Sequence, residues 1–155
     1  MDGKKPKNVF IGCDHAGYQL KQAIKKHLDR EDLKVTDLGA FSEESVDYPD
    51  ITKEVVEKVI EYPNSFGIMI CGTGQGTAMT ANRERGIRAA VCTNEYMAQM
   101  AREHNHANML CLGQRVIDED MALKIVDKFL ETKFDMDERH VRRVKKIERI
   151  NVARD

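Results

Sequence analysis

A short glycine-rich segment, residues 71–76, carries the groups best suited to chemistry in this sequence. Its letters are CGTGQG, so a cysteine is followed by three glycines that alternate with Thr73 and Gln75. Glycines let backbone N–H groups approach a ligand closely, and a helix beginning near Gln75 would favour negative charge at its N-terminus. The segment predicts a cradle for an oxyanion or a developing enolate. The alternative is a tight turn between a strand and a helix that has no chemical role.

The spacing of the glycines argues against two familiar phosphate-binding motifs. A dinucleotide fingerprint is G-x-G-x-x-G after a first strand, whereas this segment is G-x-G-x-G after the third apolar run. A phosphate loop of the form G-x-x-x-x-G-K-[ST] is also missing from the sequence. The segment therefore predicts a site for a small ligand that is not a dinucleotide.

Cys71 opens this segment, and its thiol is the candidate reactive group. A thiol beside a glycine loop and a helix N-terminus gains thiolate character, which makes it a nucleophile or a base. Thr73 adds a hydroxyl that could share the proton or the oxyanion. Cysteine is also a common small core residue, which is the role expected for Cys92 and Cys111.

Further polar candidates follow other apolar runs or end a helix. Asp14 and His15 follow the first run, where Asp14 is either a helix cap or part of a polar pair that reaches into a cleft. His104 ends the fourth helical pattern, and Asn105 after it could simply serve a turn.

Two arginines lie four residues apart near the end of the sequence. Arg139 and Arg143 share one face of the predicted last helix. Guanidinium groups match a phosphate bidentately, so the pair is a candidate phosphate ligand. The alternative is a solvated basic helix.

No metal or cofactor is expected. Cys13, Cys71, His15 and His104 could converge, but they lack the C-x-x-C or H-x-x-x-H spacing typical of metal ligands.

Short apolar runs alternate with amphipathic stretches along the chain and predict the elements that hold these residues. Most runs lack polar alternation, as strands covered on both faces do. They predict a three-layer α/β/α sandwich with a Rossmann-like five-stranded parallel sheet, followed by a basic C-terminal helix at about 137–149. We expect a single domain over residues 1–155, with a loosely held tail at about 1–7. The runs are residues 9–12, 35–38, 67–70, 89–92 and 109–112, and the helical stripes include Leu20, Ala23, Ile24 and Leu28; Val55, Val56, Val59 and Ile60; and Ala122, Ile125, Val126 and Phe129 after a cap at Asp118.

Composition narrows the class of protein. The 155 residues carry 25 Lys and Arg against 26 Asp and Glu, a net charge of −1 that argues against nucleic acid or an anionic membrane as partner. The apolar runs are far shorter than the roughly 20 residues of a membrane span. Four cysteines without a signal peptide indicate reduced thiols, so we expect a cytoplasmic protein.

Seven short motifs occur along the chain in a fixed order. They are GCDHAG at 12–17, DYP at 47–49, CGTG at 71–74, GIRA at 86–89, HN at 104–105, GQR at 113–115 and RHVRR at 139–143. Together they resemble one enzyme family, the type B ribose-5-phosphate isomerases and the related galactose- and allose-6-phosphate isomerases. The resemblance covers residues 8–150 approximately.

The resemblance implies a role for each matching residue. Cys71 would be the base that moves a proton between C2 and C1 of a sugar phosphate, assisted by Thr73, and His104 would open the furanose ring. The residues implied in binding are Asp14 and Asn105 for sugar hydroxyls, Tyr48 as lining, the amides of Gly72, Gly74, Gln75 and Gly76 for the enediolate, and His15, Arg115, Arg139 and Arg143 for phosphate. It also implies a metal-free homodimer, or a tetramer, with active sites at the subunit interface.

The sequence leaves open the substrate and the class of protein. Some family members use a glutamate base, and galactose-6-phosphate isomerases divide the cysteine and the histidine between two polypeptides. Because this chain has both Cys71 and His104, the pentose phosphate is favoured and a hexose 6-phosphate is the close alternative. A non-catalytic phosphate-binding module is the alternative from another class, although no lysine follows the fifth run as a phospho-receiver would require.

Overall fold

A computed structural model describes residues 6–149. The five apolar runs are the five strands of one parallel sheet, in the order β2-β1-β3-β5-β4. The strands are β1 (Asn8–Cys13), β2 (Lys34–Asp37), β3 (Ser65–Cys71), β4 (Ala89–Val91) and β5 (Met109–Gly113), and the helices are a 3₁₀ turn (His15–Gly17), α1 (Tyr18–His27), α2 (Tyr48–Glu61), α3 (Gln75–Ala81), α4 (Glu95–Glu103), α5 (Glu119–Glu131) and α6 (Glu138–Arg149).

Helices cover both faces of the sheet, so the predicted three-layer α/β/α sandwich is confirmed. Alternate residues of β3 show the two cores: Ile68 and Ile70 pack with α1, α4 and α5, whereas Met69 packs with α2 and α3. Because successive strand side chains point to opposite faces, a strand covered on both sides must be apolar throughout. All seven residues of β3 are buried.

The predicted helix signals are largely confirmed. Asp118 caps α5, since its side chain accepts a hydrogen bond from the backbone N–H of Met121. Ile60 was expected in the buried stripe of α2, but it is 52% exposed. Val55, Val56 and Val59 already fill the buried face, and Ile60 lies beyond its edge.

The tail expected at about residues 1–7 is described only from Pro6 onward. Residues 1–5 of the expected loose tail lie outside the described residues, whereas Pro6 is buried and the carbonyl of Lys7 accepts a hydrogen bond from Lys34 N–H at 2.8 Å. Among residues 6–149, every helix is too short or too polar to cross a bilayer.

The order of the strands determines where a ligand-binding crevice is expected. The chain passes from β1 to β2 on one side and returns to β3 on the other side of β1. The connections that follow β1 and β3 therefore diverge to opposite faces of the sheet, through α1 and α3 respectively. Such a switch in strand order opens a crevice at the carboxyl ends of the strands, where α/β proteins bind ligands. The residues after β1 and β3 are Asp14 and the glycine loop.

A buried ion pair stabilises the carboxyl edge of this sheet. The Lys21 side chain is fully buried, and its Nζ donates to Asp37 Oδ1 at 2.8 Å and to the carbonyl of Ala40. Asp37 Oδ2 accepts a second hydrogen bond at 2.8 Å, from Lys25. Burial opposes ionisation of Asp37, but the hydrogen bonds from both lysines outweigh it and lower its pKa. Because Ala40 N–H donates to the Cys13 carbonyl at 2.8 Å, the ion pair also supports the end of β1.

We expect Asp37→Asn to lower the free energy of unfolding at pH 7 by about 3 kcal/mol, because it leaves a buried ammonium without its counter-charge. The pKa of Asp37 is lower in the folded than in the unfolded protein, so its contribution is present above the unfolded value of 3.8 and is lost as the pH falls through the folded value. Denaturant titrations of both proteins from pH 7 to pH 3 should show their difference shrinking in acid. Glu131→Gln breaks an exposed ion pair with Lys128 and should leave the midpoint unchanged. An Asp37→Asn variant of native stability would contradict the argument.

Candidate active site

The glycine loop places the Cys71 thiol at the carboxyl end of β3. Cys71 is 4% exposed, and the backbone N–H of Gly74 donates a hydrogen bond to its Sγ at 3.1 Å. Gly74 has a φ of +81° and is the residue before α3, so the left-handed conformation that turns this N–H toward the sulfur favours glycine. The Gly74 N–H therefore faces the sulfur atom at hydrogen-bond distance.

Thr77 lies behind the thiol and was missed by sequence analysis. Its hydroxyl is fully buried, 3.7 Å from Cys71 Sγ, and donates to the Gly74 carbonyl at 3.0 Å. Thr73, the predicted assistant, is exposed, and its Oγ1 accepts from the N–H of Gln75 at 3.3 Å. The signal available in the sequence was a hydroxyl on the buried face of α3, where a polar group must find a partner.

We expect Thr77→Val to reduce kcat roughly fivefold with little change in KM. The variant loses the hydrogen bond to the Gly74 carbonyl, which helps to hold the Gly74 N–H beside the thiol, and one hydrogen bond contributes about 1 kcal/mol net. Thr80→Val is the matched control. Thr80 Oγ1 donates to the Gly76 carbonyl at 2.8 Å on the same helix, so this variant loses a similar hydrogen bond without touching the thiol. Steady-state kinetics and an unfolding midpoint for each variant make the test. Equal loss of kcat in the two variants would show that Thr77 supports the helix and not Cys71.

Two glycines of the loop make room for neighbouring side chains. A Cβ at Gly76 would lie 2.4 Å from Tyr48 Cζ, and one at Gly72 would lie 3.0 Å from Arg115 Nη1. The backbone N–H of Arg115 also donates to the Gly72 carbonyl at 3.0 Å. The phenol ring and the guanidinium group therefore border the loop, and the substrate contacts that the resemblance implies for both residues stay a prediction.

Asp14 and His15 complete this side of the site. Asp14 N–H donates to the Ile70 carbonyl at 3.1 Å, and its carboxylate accepts from Ala16 N–H at 2.9 Å, so Asp14 does act as a cap. His15 Nδ1 accepts a hydrogen bond from Val46 N–H at 3.3 Å. In a neutral ring the hydrogen must then be on Nε2, which makes that atom a donor suited to an anion. Val46 lies in the connection between β2 and α2, and its contact with His15 has no local signal in the sequence.

These contacts define a carboxyl-edge cluster: Asp14, His15, Tyr48, Cys71 with its glycine loop, and Arg115. It contains a thiol, backbone N–H donors, a carboxylate, an imidazole and a guanidinium group. Three of the five strands whose carboxyl ends lie at this edge, β1, β3 and β5, contribute to it directly.

The remaining predicted residues form a second group at the opposite edge, the amino-edge cluster: His104, Asn105, Arg139 and Arg143. Helix α4 runs back from the end of β4 to the beginning of β5, so its last turn lies at the amino ends of the strands. Asn108, just before β5, accepts a hydrogen bond at 3.0 Å on its carbonyl from Gly67 N–H near the start of β3. Asn105, Arg139 and Arg143 are exposed.

One chain does not bring the two clusters together. Cys71 pairs with Gly113 at the end of β5, while the amino-edge cluster adjoins the start of that strand at Met109. The length of β5 alone separates the edges by about 15 Å at roughly 3.3 Å per residue. Proton transfer to one small substrate requires contact distances, so Cys71 and His104 of the same chain cannot serve one site.

The other cysteines behave as core residues. Cys92 and Cys111 are 1% and 0% exposed, which confirms the core role expected for both. Burial raises the pKa of both thiols to about 12. Burial also raises the pKa of Cys13, whose Sγ lies 3.8 Å from the Ala40 carbonyl. These three thiols are protonated near neutral pH and are unsuited to act as bases.

His106 is a packed residue. Its ring stacks on Phe134 with centroids 4.6 Å apart. Burial, with the nearby charges of Arg88 and Arg102, lowers the pKa of His106 to about 4. The ring is neutral at physiological pH and belongs to the support of the α4–β5 turn.

The fold is a three-layer α/β/α sandwich, and a thiol on a glycine loop lies where the strand order switches between β1 and β3. This combination is typical of an α/β enzyme that acts on a small anionic substrate. Residues 9–147 match the family described as Ribose/Galactose Isomerase. Ribose-5-phosphate isomerase B of Escherichia coli is 40% identical over 149 residues, which cover 96% of this chain and 99% of the relative.

Solved structures agree with this assignment. A ribose-5-phosphate isomerase B from Clostridium thermocellum has a TM-score of 0.90 at 50% identity, covering 94% of this chain and 97% of the other. The type B enzyme of Trypanosoma cruzi has a TM-score of 0.92 at 34% identity, covering 97% and 99%. The chain belongs to the Ribose/Galactose Isomerase family, and it is an aldose–ketose isomerase.

Proposed function

We propose that this protein interconverts ribose 5-phosphate and ribulose 5-phosphate, with Cys71 as the base. The observation that carries the proposal is the Cys71 thiol, which receives the Gly74 N–H at 3.1 Å inside a loop of backbone donors. Abstraction of a proton next to a carbonyl requires a base together with donors aimed at the oxygen that becomes negative. The relatives named ribose-5-phosphate isomerase B support the pentose phosphate as substrate.

The reaction follows from these groups. The Cys71 thiolate takes the proton from C2 of the open-chain aldose, and the electron pair moves to the aldehyde oxygen to give an enediolate. N–H groups of the glycine loop stabilise the negative oxygen. The thiol then returns the proton to C1, and the C2 hydroxyl gives its proton to the negative C1 oxygen, so that a carbonyl forms at C2 and a hydroxyl at C1. Atoms and electrons balance without an added oxidant or reductant.

The two clusters lead us to include a partner subunit in this proposal. Each chain would present its amino-edge cluster to the carboxyl-edge cluster of a second copy, so that His104 opens the sugar ring beside the partner's thiol. Arg139 and Arg143 would join His15 and Arg115 on the phosphate. A two-fold axis gives two equivalent sites of this kind, and each contains residues of both chains.

The substrate is tested with purified protein and three aldose phosphates. We expect rapid ketose formation from ribose 5-phosphate and much slower formation from allose 6-phosphate and galactose 6-phosphate. Excess chelator should leave the rate unchanged, because the proposed base and donors are protein groups. Faster turnover of either hexose phosphate would overturn the choice of the pentose.

A separate prediction concerns the division of labour between His104 and Cys71. We expect His104→Asn to lose at least about 100-fold on ribose 5-phosphate, which is mostly cyclic, as removal of a general acid or base does. The same variant should still exchange the C1 proton of ribulose 5-phosphate with deuterated solvent, since this ketose cannot close to a furanose. NMR follows the exchange. His27→Asn, on the surface of α1, is the control. Equal loss of both reactions would refute the separation of roles.

A further inference from the structure

A buried histidine lies directly against the ring of His104. His140, in the first turn of α6, is 4% exposed. The two imidazole rings are nearly parallel, with an interplanar angle of 13° and centroids 4.2 Å apart. His140 has no role in the proposed reaction.

Among the described residues, none forms a hydrogen bond that fixes the ring of His104. The nearest acidic oxygen is Glu103 Oε1, 3.8 Å from His104 Nε2, and this is too long for a hydrogen bond. A histidine that transfers protons is usually oriented by a third group, because its reactive nitrogen must meet the substrate at the right angle. Here the stacked ring of His140 is the contact that can set the plane of His104.

The surroundings of His140 hold it in place. Its Nε2 lies 3.6 Å from Asp135 Oδ2 and has no hydrogen-bond partner among the described residues. Asp135 N–H donates at 2.8 Å to the carbonyl of Glu103, the residue before His104. The segment before α6 is thus bonded to the end of α4, and this brings the two rings together. A buried imidazole nitrogen without a hydrogen bond is uncommon, so packing rather than polar bonding accounts for the position of His140.

We propose that His140 is a positioning residue for His104. Its flat ring holds the His104 imidazole in one plane, which leaves both His104 nitrogens available to the sugar ring oxygen and the anomeric hydroxyl. This inference rests on the proposed ring-opening role of His104. It predicts that shape matters more than basicity at residue 140, because a flat apolar ring can stack equally well.

The test compares flat and non-flat replacements of similar size. His140→Leu and His140→Met fill the space without a flat ring, and His140→Phe keeps one. We expect the Leu and Met variants to lose about tenfold in kcat on ribose 5-phosphate with little change in KM. Their exchange of the C1 proton of ribulose 5-phosphate should stay within twofold of wild type. The Phe variant should retain both reactions, and His27→Leu is the control for loss of a histidine.

A second readout does not depend on activity. Stacking shifts the NMR signals of the His104 ring protons upfield, and we expect this shift to persist in His140→Phe and to disappear in His140→Leu. Unchanged signals in the Leu variant, full activity of both non-flat variants, or parallel loss of both reactions would each overturn the inference. Failure of the wild-type protein to turn over ribose 5-phosphate would instead refute the proposed function and the ring-opening part of the inference. The NMR shifts would still decide whether His140 sets the plane of the His104 ring.

Discussion

Cys71→Ala is expected to abolish isomerisation almost completely while leaving the fold intact. The substitution removes the base that moves the proton between C2 and C1, and such groups contribute roughly 10²–10⁴-fold. Cys71→Ser should be nearly as inactive, because a hydroxyl is a far weaker acid than a thiol and supplies little of its anion near neutral pH. Initial rates of ketose formation and the exchange of the C1 proton should fall together, since both pass through the same proton transfer.

Cys92→Ala is the matched control for this prediction. Cys92 is a buried thiol like Cys71, but burial raises its pKa to about 12, and it has no predicted part in the reaction. Its loss should change stability slightly and leave kcat unchanged. Treatment with a thiol alkylating reagent supplies a second measurement, in which the modified residue is identified by mass. A fully active Cys71→Ala protein would remove the cysteine from the mechanism and leave another base to be found.

The strands were predictable from sequence for a physical reason. A parallel sheet with helices on both faces requires uninterrupted apolar runs, and all five runs are strands. The edge strand β4 is half-buried throughout, although its run was expected to be covered like the others. Strand order was not predictable, because it depends on which distant runs pair, and local pattern carries no such information.

The candidate site was predictable to the extent that it follows strand ends. Asp14 and Cys71 come directly after or at the end of β1 and β3, and the switch between these strands makes them neighbours. Thr77, Val46 and His140 were missed because their roles depend on contacts with side chains or backbone far along the chain. Lys21 was missed for the same reason, since a lysine is expected on the surface unless a buried carboxylate pairs with it.

The position of the amino-edge cluster is the most informative feature that sequence analysis left unresolved. Spacing suggested that Arg139 and Arg143 share a helix face, but not which edge of the sheet that face adjoins. The structure places the end of α4 and the start of α6 together through the stacked His104 and His140 rings. The proposed active site uses both Cys71 and His104 and would therefore be completed by a second chain, a proposal that complementation tests.

Mixing the two inactive variants Cys71→Ala and Arg143→Ala is expected to restore activity. In a mixed form of the proposed dimer, one site would have both substitutions and the other would have neither, because Cys71 and Arg143 of one chain would belong to different sites. Random pairing after unfolding and refolding makes about half the dimers mixed, so roughly a quarter of wild-type sites should return. The activity of the refolded mixture is compared with each variant refolded alone, and mass spectrometry confirms that mixed dimers have formed.

The two clusters also provide a control pair of variants whose mixture should regain no activity. Cys71 and Arg115 both belong to the carboxyl-edge cluster, where the guanidinium of Arg115 lies against Gly72. In a mixed dimer of Cys71→Ala and Arg115→Ala, each site keeps one lesion, and activity should stay at the level of the separate variants. The pair Cys71→Ala with His104→Asn should behave like the pair with Arg143→Ala, since His104 is in the amino-edge cluster. If confirmed mixed dimers of Cys71→Ala and Arg143→Ala show no recovery, Arg143 acts within its own chain and the shared site is wrong.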